Sequence, residues 1–232
     1  MLARILKAAE VGEEDTVVEV GPGLGVLTRQ LAQRARRVVA VEVDPALATA
    51  LEADMAHHEN LRVLCADARK ANLEGLVRPG PYKLVANLPY YAANPILRRF
   101  LESEHPPVRA VVMTQREVAR NMTAKPGGMS ILSVAVQLYG RASIVGYVPP
   151  TAFYPPPKVA SAIVRIDVYP RPGLELDDRE AFFKVVRAGF SAPRKQLRNS
   201  LSQGLGIAPA QAEAVLAGAR IDSSLRAQTL GL

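Results

Sequence analysis

The sequence predicts an α/β protein in which an open, mostly parallel β-sheet is followed by a small all-helical domain. Short β-branched runs alternate with segments of helical apolar spacing over residues 1–170. A glycine-rich loop separates the first predicted strand from the first helix that follows it. Residues 171–232 lack strand-like alternation. With 232 residues, 49% of them hydrophobic, the chain is long enough to bury the core of a full domain and a small appendage.

The predicted elements follow one another in strand and helix pairs. Residues 16–20 form a strand that ends in the glycine loop, and residues 26–32 form a helix. Residues 37–43 are a second, buried strand, Pro45 opens a helix at its first turn, and residues 61–65 are a third strand. Further strands are predicted at 83–86, 110–113, 134–139 and 160–168, and helices near 95–102 and 115–122.

A change in composition marks the predicted domain boundary. The Pro- and Gly-bearing segment 169–173 is typical of a linker, and the pair Asp177-Asp178 that follows is suited to cap a helix that begins at Arg179. We therefore predict a domain of residues 1–170 and a small helical domain of residues 171–232. The second is too small to be stable without packing on its neighbour.

Composition and charge narrow the class of partner. Lys and Arg number 29 against 22 Asp and Glu, a net charge of +7, which suits a polyanion, although many basic enzymes bind no nucleic acid. No apolar run is long enough to span a membrane, and the N-terminus lacks a signal-peptide pattern. Cys65 is the single cysteine, so we expect no internal disulfide and a cytoplasmic location. The three histidines and Cys65 lack the spacing of metal ligands, so no metal site is expected.

The glycine loop predicts a nucleotide-like cofactor. Gly21, Gly23 and Gly25 follow Glu19 where a strand gives way to a helix, and glycines there let a ligand approach the backbone. The usual dinucleotide fingerprint has the spacing G-x-G-x-x-G, whereas these glycines alternate and follow an acid. The pattern favours S-adenosylmethionine over a nicotinamide dinucleotide, and a turn without ligand is the simplest alternative.

Two acids at later strand ends extend this site. Glu42 ends the second predicted strand and is a candidate for the ribose hydroxyls, although an acid there is also typical of a solvated turn. Asp44, before Pro45, fits a helix cap better. Asp67 follows the third strand, where its carboxylate is placed to accept a hydrogen bond from an adenine amine of the cofactor. Ligands of open α/β sheets bind beyond the carboxyl ends of the strands, so the three signals support one another.

The fourth strand runs into Asn87-Leu88-Pro89-Tyr90, which predicts chemistry on an adenine amine. That nitrogen is a poor nucleophile because its lone pair is delocalised into the ring. The Asn87 side-chain oxygen and the Leu88 carbonyl are placed to accept its two protons, Pro89 to fix the turn, and Tyr90 to stack on the purine. Catalysis would rest on positioning and electrostatics without a strong base. The alternative is an ordinary strand-ending turn.

With these motifs the sequence resembles the rRNA adenine N6,N6-dimethyltransferase family, and within it the KsgA-type enzymes of the small ribosomal subunit. The resemblance implies a Rossmann-like S-adenosylmethionine-dependent methyltransferase fold and dimethylation of adenines in a small-subunit rRNA hairpin loop, with a role in small-subunit biogenesis. The matching segments span nearly the whole chain and are 19–25, 41–44, 67–68, 87–90, 153–159 with Ser161, and 190–199.

The resemblance also implies roles for single residues. The glycine loop, Glu42, Asp67 and Asn87 would contact the cofactor, and Val43 and Ala68 would flank its adenine ring. Tyr90 and Phe153 would sandwich the target adenine. From the residues alone, Phe153 lies in a proline-rich extended loop, where an aromatic ring can close a base pocket or simply pack.

Basic clusters are candidates for RNA contacts, and a solvated basic face explains any one of them equally well. We expect small-subunit rRNA, or the pre-assembled small subunit, as the partner of a monomeric enzyme. The candidate residues are Arg116, Arg120, Lys125, Arg187, Arg194, Lys195 and Arg198.

Three other functions remain open on the sequence. A macrolide-resistance type of large-subunit rRNA methyltransferase shares the fold and the chemistry. A non-catalytic ribosome-assembly or transcription factor could use the same fold. A protein-glutamine or small-molecule methyltransferase would be expected to carry Asn-Pro-Pro-Tyr instead. Members of the resembled family usually begin with a Gln-Asn-Phe-Leu-like segment and continue past the position of Leu232, so we expect this chain to be shortened at both ends.

Overall fold

The computed structural model describes residues 1–72, 74–78, 80–88 and 92–232. The chain divides into two compact units. The first comprises Met1–Arg120 and Tyr139–Arg171, and the second comprises Asn121–Leu138 and Pro172–Leu232. The segment 121–138 thus groups with the C-terminal helices, although it lies inside the predicted domain 1–170.

The first unit contains a seven-stranded sheet of order β3-β2-β1-β4-β5-β7-β6. Strands β1 to β5 run parallel, and β7 is antiparallel to both β5 and β6. All five residues of β1 are buried, as expected of a central strand covered on both faces. The strands are β1 (Thr16–Val20), β2 (Arg37–Glu42), β3 (Leu61–Cys65), β4 (Tyr82–Asn87), β5 (Arg109–Gln115), β6 (Gly140–Val148) and β7 (Ser161–Val168).

Helices alternate with these strands, as the predicted crossover pattern requires. One core cluster joins Ile5 of the first helix and Leu31 of the second to Val17 and Val38 on the sheet. The helices are α1 (Leu2–Ala9), α2 (Val26–Ala32), α3 (Pro45–Asp54), α4 (Glu74–Val77), α5 (Ala93–Leu101) and α6 (Arg116–Met122). A 3₁₀ turn covers Pro150–Ala152.

An ion-pair network that includes Glu10, Arg109, Arg165 and Asp167 ties α1 to the sheet. Glu10 ends α1 in the left-handed conformation, with φ 49°, and its carboxylate accepts hydrogen bonds from Arg109 (2.7 Å) and Arg165 (2.5 Å). Asp167 accepts from the Nε atoms of the same two arginines, at 2.9 and 3.0 Å. These arginines hold the pKa of Glu10 below its usual value. The network fixes the end of α1 against β5 and β7.

The second unit is helical. Asp178, one of the two predicted capping residues, caps the helix Arg179–Phe190 by accepting a hydrogen bond from the Ala181 amide (2.9 Å). Its core is built from Ala188, Leu197, Leu201, Ala212 and Leu216. The helices are α7 (Ile131–Gln137), α8 (Arg179–Phe190), α9 (Leu197–Leu205) and α10 (Pro209–Gly218), with a 3₁₀ turn at Ala227–Thr229.

The sequence predictions hold for most elements and fail at one. The predicted strand 134–139 is wrong, because Ile131–Gln137 is a helix. Its β-branched residues are outweighed by a capping box in which Ser130 and Ser133 satisfy each other's backbone amides. A strand does follow this helix, β6 at Gly140–Val148, and the sequence analysis did not predict it. The first five strands, the caps at Asp44 and Asp178 and the helical tail are confirmed.

The close approach of α8 and α9 yields a stability prediction. A Cβ on Gly204 would lie 2.5 Å from Ala188 Cα, so Gly204→Ala forces the two helices apart and should destabilise the second unit by about 1–3 kcal/mol. Gly218→Ala is the matched control, since no atom lies within 4 Å of its Cβ position, and it should be neutral or slightly stabilising. Chemical denaturation of both variants measures the difference. Equal effects would contradict the packing explanation.

Candidate functional site

The glycine loop lies at the carboxyl edge of the parallel strands. Gly21, Gly23 and Gly25 have φ values of 70°, 53° and 74°, a region that residues with a Cβ rarely adopt. The Gly21 amide donates to the Val41 carbonyl (3.0 Å), and a Cβ on Gly21 would lie 3.4 Å from the Asn87 carbonyl oxygen. A Cβ on Gly25 would overlap Leu51 of α3. The loop is therefore held between the ends of β2 and β4, and its three positive φ values favour glycine.

Glu42 organises the end of β2. Its Oε1 accepts hydrogen bonds from the amides of Val43 (2.9 Å) and Asp44 (3.1 Å), and its Oε2 accepts from the Gly23 amide (3.1 Å). A carboxylate has about four acceptor positions, so about one remains for a ligand. Asp44 caps α3 by accepting from Ala46 (2.8 Å), which confirms the cap predicted for it. Glu42 thus joins the second strand to the glycine loop.

Glu19 lies beneath the loop in β1 and is only 1% exposed. Among the described residues, its Oε2 atom has no hydrogen-bond partner. Burial, and to a smaller extent the negative charge of Glu42, raises the pKa of Glu19 to about 8. Glu19 is therefore protonated and neutral at pH 7.

A cleft beside the loop gathers five of the predicted cofactor residues: Gly21, Glu42, Val43, Asp67 and Ala68. The Val43 side chain is 61% exposed at the strand end, whereas Ala68 is buried. An exposed apolar side chain next to a carboxylate is suited to the face of a planar ring. Val20, Val41, Ala66, Arg69, Ala92 and Ile96 complete the lining.

Arg69 is a cleft residue that the sequence analysis missed. Its backbone amide donates to Asp67 Oδ1 (2.9 Å), and its Nη2 donates to Asp67 Oδ2 (2.7 Å). The side-chain hydrogen bond from Arg69 lowers the pKa of Asp67 to about 2. In the sequence, the signal for this contact was a basic residue two positions after Asp67. A ligand amine that pairs with Asp67 must share the carboxylate with this guanidinium.

The end of β4 presents an amide next to the glycine loop. Asn87 is exposed, and its side chain makes no hydrogen bond with any residue in the described part of the chain. The Leu88 side chain is buried, and its amide donates to the Met113 carbonyl (3.2 Å). Leu88 therefore anchors the loop while leaving Asn87 open. Pro89 and Tyr90, the other two predicted residues of this loop, lie outside the described residues.

Phe153 is half-buried and packs against the core cluster of the first unit. Its amide donates to the Pro150 carbonyl (3.1 Å), at the end of the 3₁₀ turn. These contacts match the packing alternative, and its role in stacking on a base stays a prediction. Tyr154, the next residue, is fully exposed.

The residues predicted to contact RNA divide between the two units. Arg116 and Arg120 belong to the first unit. Lys125, Arg187, Arg194, Lys195 and Arg198 belong to the second. In that unit Arg198 lies 3.8 Å from Glu213, and Lys195 donates to Gln203 (3.2 Å).

The described residues show neither a metal-binding group nor a membrane-spanning helix. No group of three or more His, Cys, Asp or Glu side chains in this part of the chain is arranged to hold a metal ion. No helix within it is long and apolar enough to cross a membrane.

Sequence comparison places the chain among known proteins. The family model described as ribosomal RNA adenine dimethylase matches residues 1–232. A ribosomal RNA small subunit methyltransferase A of Dehalococcoides mccartyi is 48% identical over 234 residues, which cover 100% of this chain and 80% of that protein. The protein of the same name from Moorella thermoacetica is 43% identical over 243 residues, covering 100% and 84%.

Two solved structures are also similar to this chain. The crystal structure of the 23S rRNA methyltransferase ErmE matches with a TM-score of 0.77 and 32% identity, covering 99% of this chain and 91% of that one. A dimethyladenosine transferase from Plasmodium falciparum has the same fold, with a TM-score of 0.79 at 24% identity, covering 99% and 90%. Since the family model spans the whole chain, this protein belongs to the ribosomal RNA adenine dimethylase family.

Proposed function

We propose that the chain is an S-adenosylmethionine-dependent methyltransferase that dimethylates the N6 amine of adenines in small-subunit rRNA. The observation that carries this is the position of Asn87, whose uncommitted side chain stands at a strand end while its carbonyl lies against Gly21 of the glycine loop. Asn87, whose side-chain oxygen can accept a hydrogen bond from an amine, therefore lies beside the glycine loop. Family membership supports adenine as the methylated base.

The cleft residues fit the cofactor. When bound, S-adenosylmethionine supplies an electrophilic methyl group on a sulfonium. Gly21 lines the cleft without a side chain that would obstruct the cofactor, and the remaining acceptor position of Glu42 suits a ribose hydroxyl. Val43 and Ala68 offer apolar surface to its adenine ring. Asp67 would accept the ring's amine while still paired with Arg69. Glu19, Gly25 and Asn87 complete the proposed set.

The catalytic step needs the amine to be held rather than deprotonated. The Asn87 oxygen and the Leu88 carbonyl accept the two amine hydrogens and turn the nitrogen lone pair towards the methyl group. Leu88 is suited to this because its buried side chain and its bond to Met113 fix the backbone. Tyr90 and Phe153 would stack on the two faces of the base, and Pro89 would hold the turn.

The RNA would be held by both parts of the chain. Residues 1–170 carry catalysis in this proposal, and residues 171–232 carry RNA contacts, including Arg187, Arg194, Lys195 and Arg198. Arg116, Arg120 and Lys125 would add phosphate contacts. The adenine must leave its stack to reach Asn87, and a hairpin loop releases a base at less cost than a duplex. We take the enzyme to act in the cytoplasm as a monomer.

The large ribosomal subunit is the second candidate target. It is favoured by one observation, the 32% identity to the structure of a 23S rRNA methyltransferase. Relatives named for the small subunit reach 48% identity, which supports the first candidate. Mass spectrometry of both rRNAs after reaction with unmethylated subunits and cofactor separates the two. Dimethyladenosine confined to large-subunit rRNA would overturn the small-subunit proposal, and no methylated adenine in either would overturn the activity.

Asn87→Ala should strongly reduce methyl transfer while the fold survives. The side chain is exposed and makes no hydrogen bond within the described residues, so the melting temperature should stay close to wild type. Loss of one acceptor for the reacting amine should reduce kcat by about 10²–10³-fold. Transfer of a labelled methyl group to small-subunit rRNA measures this. Near-normal turnover would remove Asn87 from the mechanism.

Glu42→Gln should weaken cofactor binding by about tenfold or more, the value of one charge-assisted hydrogen bond. The amide of Gln would also point a donor at the Gly23 amide, which now donates to Glu42. Asp44→Asn is the matched control, because Asn caps a helix as well as Asp and the affinity should stay unchanged. Calorimetric titration with S-adenosylmethionine gives both values. Equal affinities in the two variants would argue against a ribose contact.

Glu19→Gln should change the pH dependence of stability. The folded wild type keeps its proton up to about pH 8, whereas the unfolded chain loses it near 4.5, so wild-type stability falls as pH rises between these values. The slope is about 1.4 kcal/mol per pH unit. The variant lacks this loss and should gain stability relative to wild type from pH 5 to pH 8. Denaturation curves that differ by a constant amount across that range would contradict a protonated Glu19.

A further inference from the structure

A second cleft opens at the opposite edge of the sheet, at the amino ends of β1, β2 and β3. It has a volume of about 580 Å³. Its lining includes four arginines, Arg36, Arg37, Arg62 and Arg78, and one acid, Glu59. None of these residues belongs to the cofactor or base site described above. The cleft is therefore strongly basic and separate from the catalytic edge.

Three of the four arginines of this cleft are not neutralised by a carboxylate among the described residues. Arg36, Arg37 and Arg62 form no ion pair with a carboxylate in the part of the chain that the structure describes, and Arg36 donates only a long hydrogen bond to Thr16 (3.4 Å). Arginines elsewhere in this unit do pair, as Arg109 does with Asp167. Like charges held together repel one another, so an anion in the cleft would be favourable. Guanidinium groups are suited to phosphate because they donate two parallel hydrogen bonds.

Strand register holds the arginines in place. Arg37 pairs with Thr16 across β1 and β2, and Arg62 pairs with Val39 across β2 and β3. Residues 37 and 39 project to the same face of β2, so Arg37 and Arg62 share one face of the sheet. Asn60 donates to the Ala32 and Ala35 carbonyls, at 2.8 and 2.9 Å, and so fixes the segment before Arg36. The cleft is built on the sheet rather than on a free loop.

We infer that this cleft binds backbone phosphates of the RNA substrate, at a site distinct from the base pocket. The inference rests on the proposed function, because it concerns how that substrate is held. Arginines from β2, β3 and the segments beside them suit a row of phosphates better than one small anion. The five residues of β1 separate the two edges of the sheet by about 17 Å, at about 3.3 Å per residue. Only an RNA that extends beyond its target loop reaches both edges.

The test compares two triple variants that lose the same charge. The first is Arg36→Gln, Arg37→Gln, Arg62→Gln. The control is Arg29→Gln, Arg98→Gln, Arg141→Gln, whose arginines are exposed and each face a carboxylate, those of Asp54, Glu102 and Asp167. The probes are a full-length small-subunit rRNA transcript, a short stem-loop with the target adenines, and inorganic tripolyphosphate.

The cleft variant should bind the long transcript on the order of tenfold more weakly, with a salt slope reduced by about 0.9 for each lost phosphate contact. Its KM for that transcript should rise with kcat unchanged, and its affinity for the stem-loop should match wild type. The control variant should stay close to wild type. Glu59→Gln, which removes the acid of the cleft, should tighten binding of the long transcript.

Three results would overturn the inference. Equal losses in the two triple variants would mean that net charge alone matters. An equal loss on the stem-loop would place the effect at the base site. Loss of tripolyphosphate binding with unchanged RNA affinity would assign the cleft to a small anion. If the triple variant melts at a lower temperature than wild type, two single variants are compared instead. Arg62→Gln should weaken binding of the long transcript, and Glu59→Gln should tighten it. If the wild type binds the RNA but transfers no methyl group, the proposed function is refuted. The cleft is then tested by the RNA affinities of the variants alone.

Discussion

The candidate site depends on the register in which three parallel strands pair. Val20 of β1 lies opposite Val41 of β2 on one side and Ala86 of β4 on the other. Gly21, Glu42 and Asn87 each stand one residue beyond this matched row, which brings the loop, the acid and the amide to one level. A slip of one residue would turn Glu42 or Asn87 to the opposite face of the sheet. The apolar pattern that buries each strand therefore also aligns the chemistry.

Arginine has two distinct uses in the first unit. Arg109 and Arg165 are locked between Glu10 and Asp167, and they close the end of α1 on the sheet. Arg69 is held by Asp67 within the cofactor cleft. Arg36, Arg37 and Arg62 at the amino edge have no such acid among the described residues. A net charge of +7 is thus distributed so that folding neutralises some of the cations and leaves others for a polyanion.

Local signals explain which parts of the fold could be predicted. Strand ends, the glycine loop and the caps at Asp44 and Asp178 depend on residues a few positions apart, and they are confirmed. The helix Ile131–Gln137 was misassigned because one serine pair outweighed the β-branched run that follows it. The contact between Glu10 and Arg165 joins residues 155 positions apart, which no local pattern reveals. Asp67 and Arg69 are only two positions apart, but their pairing could be established only from the positions of their side chains.

The two acceptors at the end of β4 have a consequence for how the reaction stops. An unmodified amine satisfies both the Asn87 oxygen and the Leu88 carbonyl, a singly methylated amine satisfies one, and a doubly methylated amine carries no hydrogen for either. Each transfer in the proposed chemistry therefore removes one hydrogen bond between the base and these oxygens and so weakens the hold on the base. The same pair of oxygens that positions the substrate would reject the finished product, so the count of methyl groups is limited without a separate sensor.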